Sequence, residues 1–240
     1  MRALPGRDAR SRATAPADVT RESAKADQRR RILRATGELV AERGYDSVTV
    51  ELIVKRARVS YKTFYAHFAG KEECFIELFD ETMVQTRAAI EAALAEQTGA
   101  PWPRKVVAAL GALFEVLLAD PLIARASIVE APTVGPSIIE RYERAMSDLS
   151  PLLRQGRELS PYKDELPETL EDTLAGGVLW SAYQRLIVGQ EEGIESLLPD
   201  AIEFVLRPYL GEEEAAKWAK QAAEEPAGEA PAGETASAAS

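Results

Sequence analysis

Ser60-Tyr61-Lys62-Thr63 places two hydroxyls, a phenol and an ammonium side by side, directly before the apolar Phe64. Groups of these types hydrogen-bond to base edges and phosphate oxygens, and a lysine can donate to guanine O6 and N7. They read a groove only when the start of a short helix presents them together; otherwise Lys62 is one more solvated charge. Elsewhere the chain offers little chemistry. A lone histidine, His67, and a lone cysteine, Cys74, make neither a metal cluster nor an intramolecular disulfide. Cys74 reads as a small buried hydrophobe rather than a redox sensor. There is no Gly-rich phosphate loop, no Ser/His/Asp arrangement and no glycine fingerprint, so the sequence calls for no catalytic residue, metal or cofactor.

The elements that would hold those four residues follow from apolar spacing. A helix from about Ala26 to Arg43 puts Ile32, Leu33, Thr36, Leu39 and Val40 on one face, with Gly44 at its stop. Ser47 or Thr49 can cap a short second helix carrying Val50, Ile53, Val54 and Ala57. After a tight break at Arg58-Val59, Ser60 can cap a third helix, Tyr61 to Phe68, whose Phe64 and Phe68 face inward. A long fourth helix starts near Lys71 with Phe75, Leu78, Phe79 and Met83 at helical spacing. Three short helices and a long one form a helix-turn-helix with a supporting first helix.

Charge is divided in the same way. Residues 1–70 hold 15 Lys/Arg against 8 Asp/Glu, a net of +7, whereas residues 71–240 hold 14 against 31, a net of −17. A basic head on an acidic body suits one surface that meets phosphate and a remainder that avoids it. Chance clustering with a basic disordered tail is the alternative on charge alone.

The stretch Gly44-Tyr45, Val48-Thr49-Val50, Ile53, Arg58-Val59-Ser60-Tyr61-Lys62-Thr63-Phe64-Tyr65-Ala66-His67-Phe68 and Lys71-Glu72-Glu73 resembles the TetR family of regulators. The resemblance covers roughly residues 28–80. It implies an effector-responsive, sequence-specific transcriptional regulator, of which repression is the usual mode, binding a palindromic double-stranded DNA operator as a homodimer. On matching positions it implies that Tyr61 and Lys62 read bases, and that Thr63, Tyr65 and His67 contact the backbone or adjacent bases. Thr49 and Lys71, at helix starts, suit phosphate, and Ser60 is among the polar side chains shown to the groove. Tyr65 could instead only pack, and His67 could be an ordinary surface or core residue. Two positions depart from the family: Arg58 stands where Gly is usual at the turn, and Lys62 replaces a frequent small residue.

The remainder also reads as helical, so the fold class is all-α: an N-terminal three-helix helix-turn-helix domain and a larger C-terminal helical ligand-binding and dimerisation domain. Helices are expected over 104–118, 121–131, 136–157, 167–189 and 195–210. Residues 1–26 read as a flexible basic arm, whose Arg7, Arg10, Arg12 and Arg21 could enter a minor groove. Residues 27–75 form the DNA-binding domain, 76–211 the effector and dimerisation domain, and 212–240 a largely disordered acidic tail rich in Ala, Glu and Pro. Trp102, Phe114, Leu118, Tyr142, Met146, Trp180 and Tyr183 are candidates for an effector pocket, with ordinary core as the alternative for each. Gly176 and Gly177 would allow a close helix approach, so with Trp180, Leu198, Ile202, Val205 and Tyr209 they form the candidate dimer interface; packing within one subunit is the alternative. The longest apolar stretch, Val106 to Ala119, is interrupted by Glu115 and too short for a bilayer, and the first 26 residues lack the apolar run of a secretory signal. Together with the single cysteine this suggests a cytoplasmic protein with no membrane partner. Competing readings are a ligand-independent DNA-binding protein and a helical small-molecule-binding protein or enzyme with a vestigial N-terminal unit.

Overall fold

The computed structural model describes residues 16–147, 150–188 and 196–224, and all their regular elements are helical. The head comprises α1 (Pro16–Arg43), a 3-10 turn (Tyr45–Ser47), α2 (Val50–Ala57), α3 (Tyr61–Tyr65) and the first half of α4 (Lys71–Glu96). Ile32, Val40, Ile53, Phe64, Phe68 and Phe75 fill its core. Ala126, Ala131 and Ile138 from later in the chain complete that core, so the body is packed directly onto the head.

The body holds α5 (Trp102–Ala119), α6 (Pro121–Arg125), a π-helical turn (Ala126–Glu130), a 3-10 turn (Ala131–Thr133), α7 (Pro136–Ser147) and α8 (Ser150–Leu159). It closes with α9 (Leu170–Val188), α10 (Leu197–Leu210) and α11 (Glu212–Glu224). Its core gathers Trp102, Phe114, Leu174, Leu186, Ile202 and Tyr209. Trp102 sits in a slot made by a missing side chain: a Cβ at Gly156 would overlap its indole ring. The indole N–H donates to the Leu152 carbonyl at 2.8 Å. Arg157 reaches from α8 to the buried Glu171 of α9 through two 3.0 Å hydrogen bonds. Burial works to raise the Glu171 pKa, but the Arg157 contacts outweigh it and the carboxyl is left below its ordinary value.

Four expectations need correction. The first helix begins at Pro16, so residues 16–26 continue α1 rather than forming a flexible arm. They have no apolar face to reveal a period, and Pro16 occupies the first helical position, where its missing N–H costs nothing. The segment expected as one helix over 136–157 is two, with Pro151 in the first turn of the second. The third helix ends at Tyr65, short of Phe68. The tail reading fails over 212–224, which form α11: Ala215 and Ala219 are buried and Trp218 packs against the body core. Three glutamates at the α11 start complement the helix dipole, and its apolar stripe is mostly alanine, which composition alone reads as low complexity. Residues 1–15, with Arg7, Arg10 and Arg12, and residues 225–240 lie outside the described residues, as does the Arg21 side chain.

Candidate nucleic-acid interface and effector cavity

The turn between α2 and α3 decides where the candidate reading residues point. Arg58 is left-handed (φ 54, ψ 49), the only non-glycine described residue with positive φ. It ends α2 in a Schellman motif: the Val59 N–H donates to the Val54 carbonyl at 3.0 Å and the Arg58 N–H to the Lys55 carbonyl at 3.4 Å. An arginine thus takes a left-handed conformation that favours glycine, at a cost of about 1–2 kcal/mol. Both expected caps form. The Thr49 hydroxyl accepts from the Leu52 N–H at 3.3 Å, and the Ser60 hydroxyl accepts from the Thr63 N–H at 3.0 Å.

With α3 fixed this way, Phe64 and Phe68 are buried while Tyr61 and Tyr65 stand 49% and 56% exposed. Lys62 is exposed beside them and Thr63 is half-buried, its hydroxyl 2.9 Å from that of Ser60. The eight proposed DNA-contacting residues therefore divide. Tyr61, Lys62 and Tyr65 present free ends on one surface, whereas Thr49, Ser60 and Thr63 already serve the helix starts. Lys71 is turned inward: its ammonium donates to the Tyr45 carbonyl at 2.9 Å and lies 4.0 Å from the Tyr45 ring centroid. Two ammonium protons remain for phosphate, but its first task is to hold the 3-10 turn against α4. His67 is half-buried, and desolvation, then the charges of Lys25 and Arg29, push its pKa below the ordinary 6.5.

Ion pairs brace the reading surface from behind. Arg56 of α2 pairs with Glu42 at 2.7 Å and Glu38 at 3.3 Å on α1. Arg29 of α1 pairs with Glu77 and Glu81 of α4 while its guanidinium lies 5.9 Å from the Phe68 ring centroid. Arg56 is a cation of the head that the DNA surface cannot count on, because α1 already holds it. Cys74 lies in the head core with its sulfur 3.2 Å from the Thr36 hydroxyl, and desolvation pushes its thiol pKa up to about 12.

In the body lies a cavity of about 510 Å³ walled by α4 to α9 and by Val205 of α10. Ile90, Phe114, Leu174 and Val178 give it an apolar lining, and the exposed Gln85, Arg87 and Glu91 open it to solvent on the α4 side. Of the residues expected to line a pocket, Phe114 and Tyr142 do. Desolvation pushes the Tyr142 phenol up to about 12. Trp102 belongs to the body core, Leu118 and Tyr183 pack against it, and the exposed Trp180 stacks on Tyr183 with centroids 5.2 Å apart. The Met146 side chain lies outside the described residues. No sequence pattern announced the main walls, because a cavity forms where several helices fail to meet.

The turn after α6 joins cavity to head. Asp120 caps α6 through the Ile123 N–H at 3.3 Å and pairs with Arg34 of α1 at 3.0 Å. Arg125 donates to the Ala41 carbonyl at 3.0 Å and to the Leu186 carbonyl of α9. Glu130 accepts from the Tyr45 N–H at 3.2 Å. None of these links between head and body is visible in the sequence, because the partners lie up to 86 residues apart.

The candidate dimer residues also divide. Ile202, Val205 and Tyr209 are buried within the subunit core, and Leu198 packs against it, so these four face inward. Gly177 receives the Phe204 ring of the same subunit, where a Cβ would lie 2.7 Å from the ring. Gly176 faces open space. Around it Trp180 and Phe204 remain 58% and 45% exposed, with Ile187 and Val188 further along α9. The exposed Ile187 and Val188 were not singled out in the sequence because α9 is apolar on both faces and periodicity cannot divide it.

Residues 32–78 match the family described as bacterial regulatory proteins, tetR family. A helix-turn-helix transcriptional regulator of Bacillus subtilis (strain 168), YhgD, is 25% identical over 189 residues, spanning 77% of this chain and 95% of the relative. The fold is similar to that of FadR, a fatty acid degradation regulator from Bacillus halodurans, with a TM-score of 0.67 at 23% identity over 75% of this chain and 94% of that one. It is also similar to FadR from Bacillus subtilis in complex with stearoyl-CoA, with a TM-score of 0.62 at 22% identity over 73% and 96% of the two chains. Residues 32–78 thus carry the DNA-binding domain described for the tetR family of bacterial regulatory proteins, and head, turn and body together have the fold of these regulators.

Proposed function

We propose that the protein is a cytoplasmic homodimeric repressor that binds a palindromic operator through Tyr61, Lys62 and Tyr65 and releases it when a mostly apolar effector enters the body cavity. The observation that carries this reading is the shared turn. Residues 120–130 contribute Asp120, Ile123, Ala124, Ser127 and Ile128 to the cavity wall, and the same segment holds α1 and the Tyr45 turn through Arg125 and Glu130. An effector that displaces this wall acts on the mounting of the helix-turn-helix. Half-sites of such dimers sit about 34–36 Å apart, so a small rotation of each head disengages one set of contacts. Gly176, Trp180, Phe204 and Ile187 supply the exposed apolar face that a second copy would cover. The cavity volume lies in the usual range of small-molecule sites, about 300–1,000 Å³, and the likeness to a regulator that binds stearoyl-CoA makes long-chain acyl-CoA the first effector to try.

The test is selection of bound duplexes from a random pool, followed by affinity on the recovered site against salt and against added stearoyl-CoA. A palindrome with steep salt dependence, released by the acyl-CoA, supports the whole reading. A palindrome indifferent to every apolar compound leaves a ligand-independent DNA-binding protein, and no enriched site removes the assigned readout residues.

A further inference from the structure

Six hydroxyls inside the helices of this protein share one habit. Thr36, Thr82, Thr86, Ser147, Thr173 and Ser181 each donate to the carbonyl four residues earlier. Ser127 does not. It is 3% exposed, lines the cavity, and its Oγ has no protein hydrogen-bond partner, alone in this among the buried side-chain polar atoms of the described residues. Leaving a buried hydroxyl unpaired is unfavourable, and a native structure that does so calls for an explanation. Ser127 also stands in the π-helical turn, a departure from regular helix that recurs at functional sites.

We infer that Ser127 is the polar anchor of the cavity, and that the effector it selects carries a neutral hydrogen-bonding group, such as a ketone, ester or amide carbonyl, on an apolar body. This rests on the reading of the cavity as an effector site. A rotation about χ1 turns the hydroxyl toward the lumen, and no protein hydrogen bond has to break for it to do so. Once turned, it donates to a ligand carbonyl in surroundings made apolar by Ile123, Ala124 and Ile128. A charge placed against that wall would lose its hydration without compensation, so the matching group is neutral. Position gives the contact its significance: Ser127 lies between Arg125 and Glu130, which hold the head, so a ligand bonded there pulls on the segment that mounts the helix-turn-helix.

The experiment compares undecan-2-one with undecane, which match in length and differ in one carbonyl, as competitors of N-phenyl-1-naphthylamine fluorescence in the full chain and in Ser127→Ala. The wild type should prefer the ketone by about 3- to 10-fold, the worth of one net hydrogen bond. Ser127→Ala should lose that preference while binding undecane as before. Equal binding of both compounds by the wild type, or a preference that survives in Ser127→Ala, overturns the anchor and leaves the effector cavity standing. If neither compound displaces the dye from the wild type, the effector reading and the anchor fall together.

Discussion

At the scale of single residues, the proposed recognition surface is the exposed side of α3, held by the Thr49 and Ser60 caps and the Arg56 ion pairs. Lys62→Ala and Tyr65→Ala should each leave the fold intact, because both side chains are exposed, and the pair should lose specific binding. Loss of one base contact costs about 1–3 kcal/mol, and titration on the selected operator measures it. Unchanged affinity and specificity would remove α3 as the reading helix. Arg58→Gly should stabilise the protein by about 0.5–1 kcal/mol, the left-handed penalty less the entropy that glycine loses on folding; thermal melting checks it. His67 takes up its proton less readily in the folded chain than in the unfolded one. Stability from this group is therefore complete above the unfolded value and declines as pH falls through about 6.5. A phosphate beside the ring would reverse the shift, so NMR titration should give a higher His67 pKa in the operator complex. An unmoved value places His67 away from the backbone. The caps Thr49 and Ser60 and the inward Phe64 and Phe68 were legible in the sequence because they are local, set by spacings of three and four residues. The inward turn of Lys71 was not, since its partner Tyr45 lies 26 residues away.

At the scale of elements, what the sequence concealed was packing between helices. Gly156 reads as a helix-weakening residue, yet its bare backbone makes the slot for Trp102. Gly156→Ala should destabilise the body by about 1–3 kcal/mol through overpacking, against the gain that alanine brings to an isolated helix, and thermal melting gives the sign at once. Alanine and glycine carried several of the misread elements. The alanine stripe buries α11 against α10 and α5, and Gly177 accepts Phe204, so small residues that look like low complexity or a dimer seam serve contacts inside one subunit. Helices with a large apolar face and clear stops were found near their true limits; those recognised only by composition were not.

At the scale of the whole molecule, head and body are joined through α4, the segment 120–131 and the ion pair of Arg141 with Asp80 at 3.0 Å. The proposed dimer would use the exposed face of α9 and α10. Trp180→Glu should convert a dimer to a monomer in sedimentation and weaken binding to the full palindrome far more than to a half-site; a variant that still sediments as a dimer places the interface elsewhere. Cys74 has a further practical consequence. Its thiol is fully buried in the head core and held protonated at ordinary pH, so it neither competes for reagents nor needs replacing. A cysteine introduced on the exposed surface of α3 would be the sole reactive handle of each subunit. Paired spin labels there would report the distance between the two reading helices directly, with and without ligand, in the otherwise native chain.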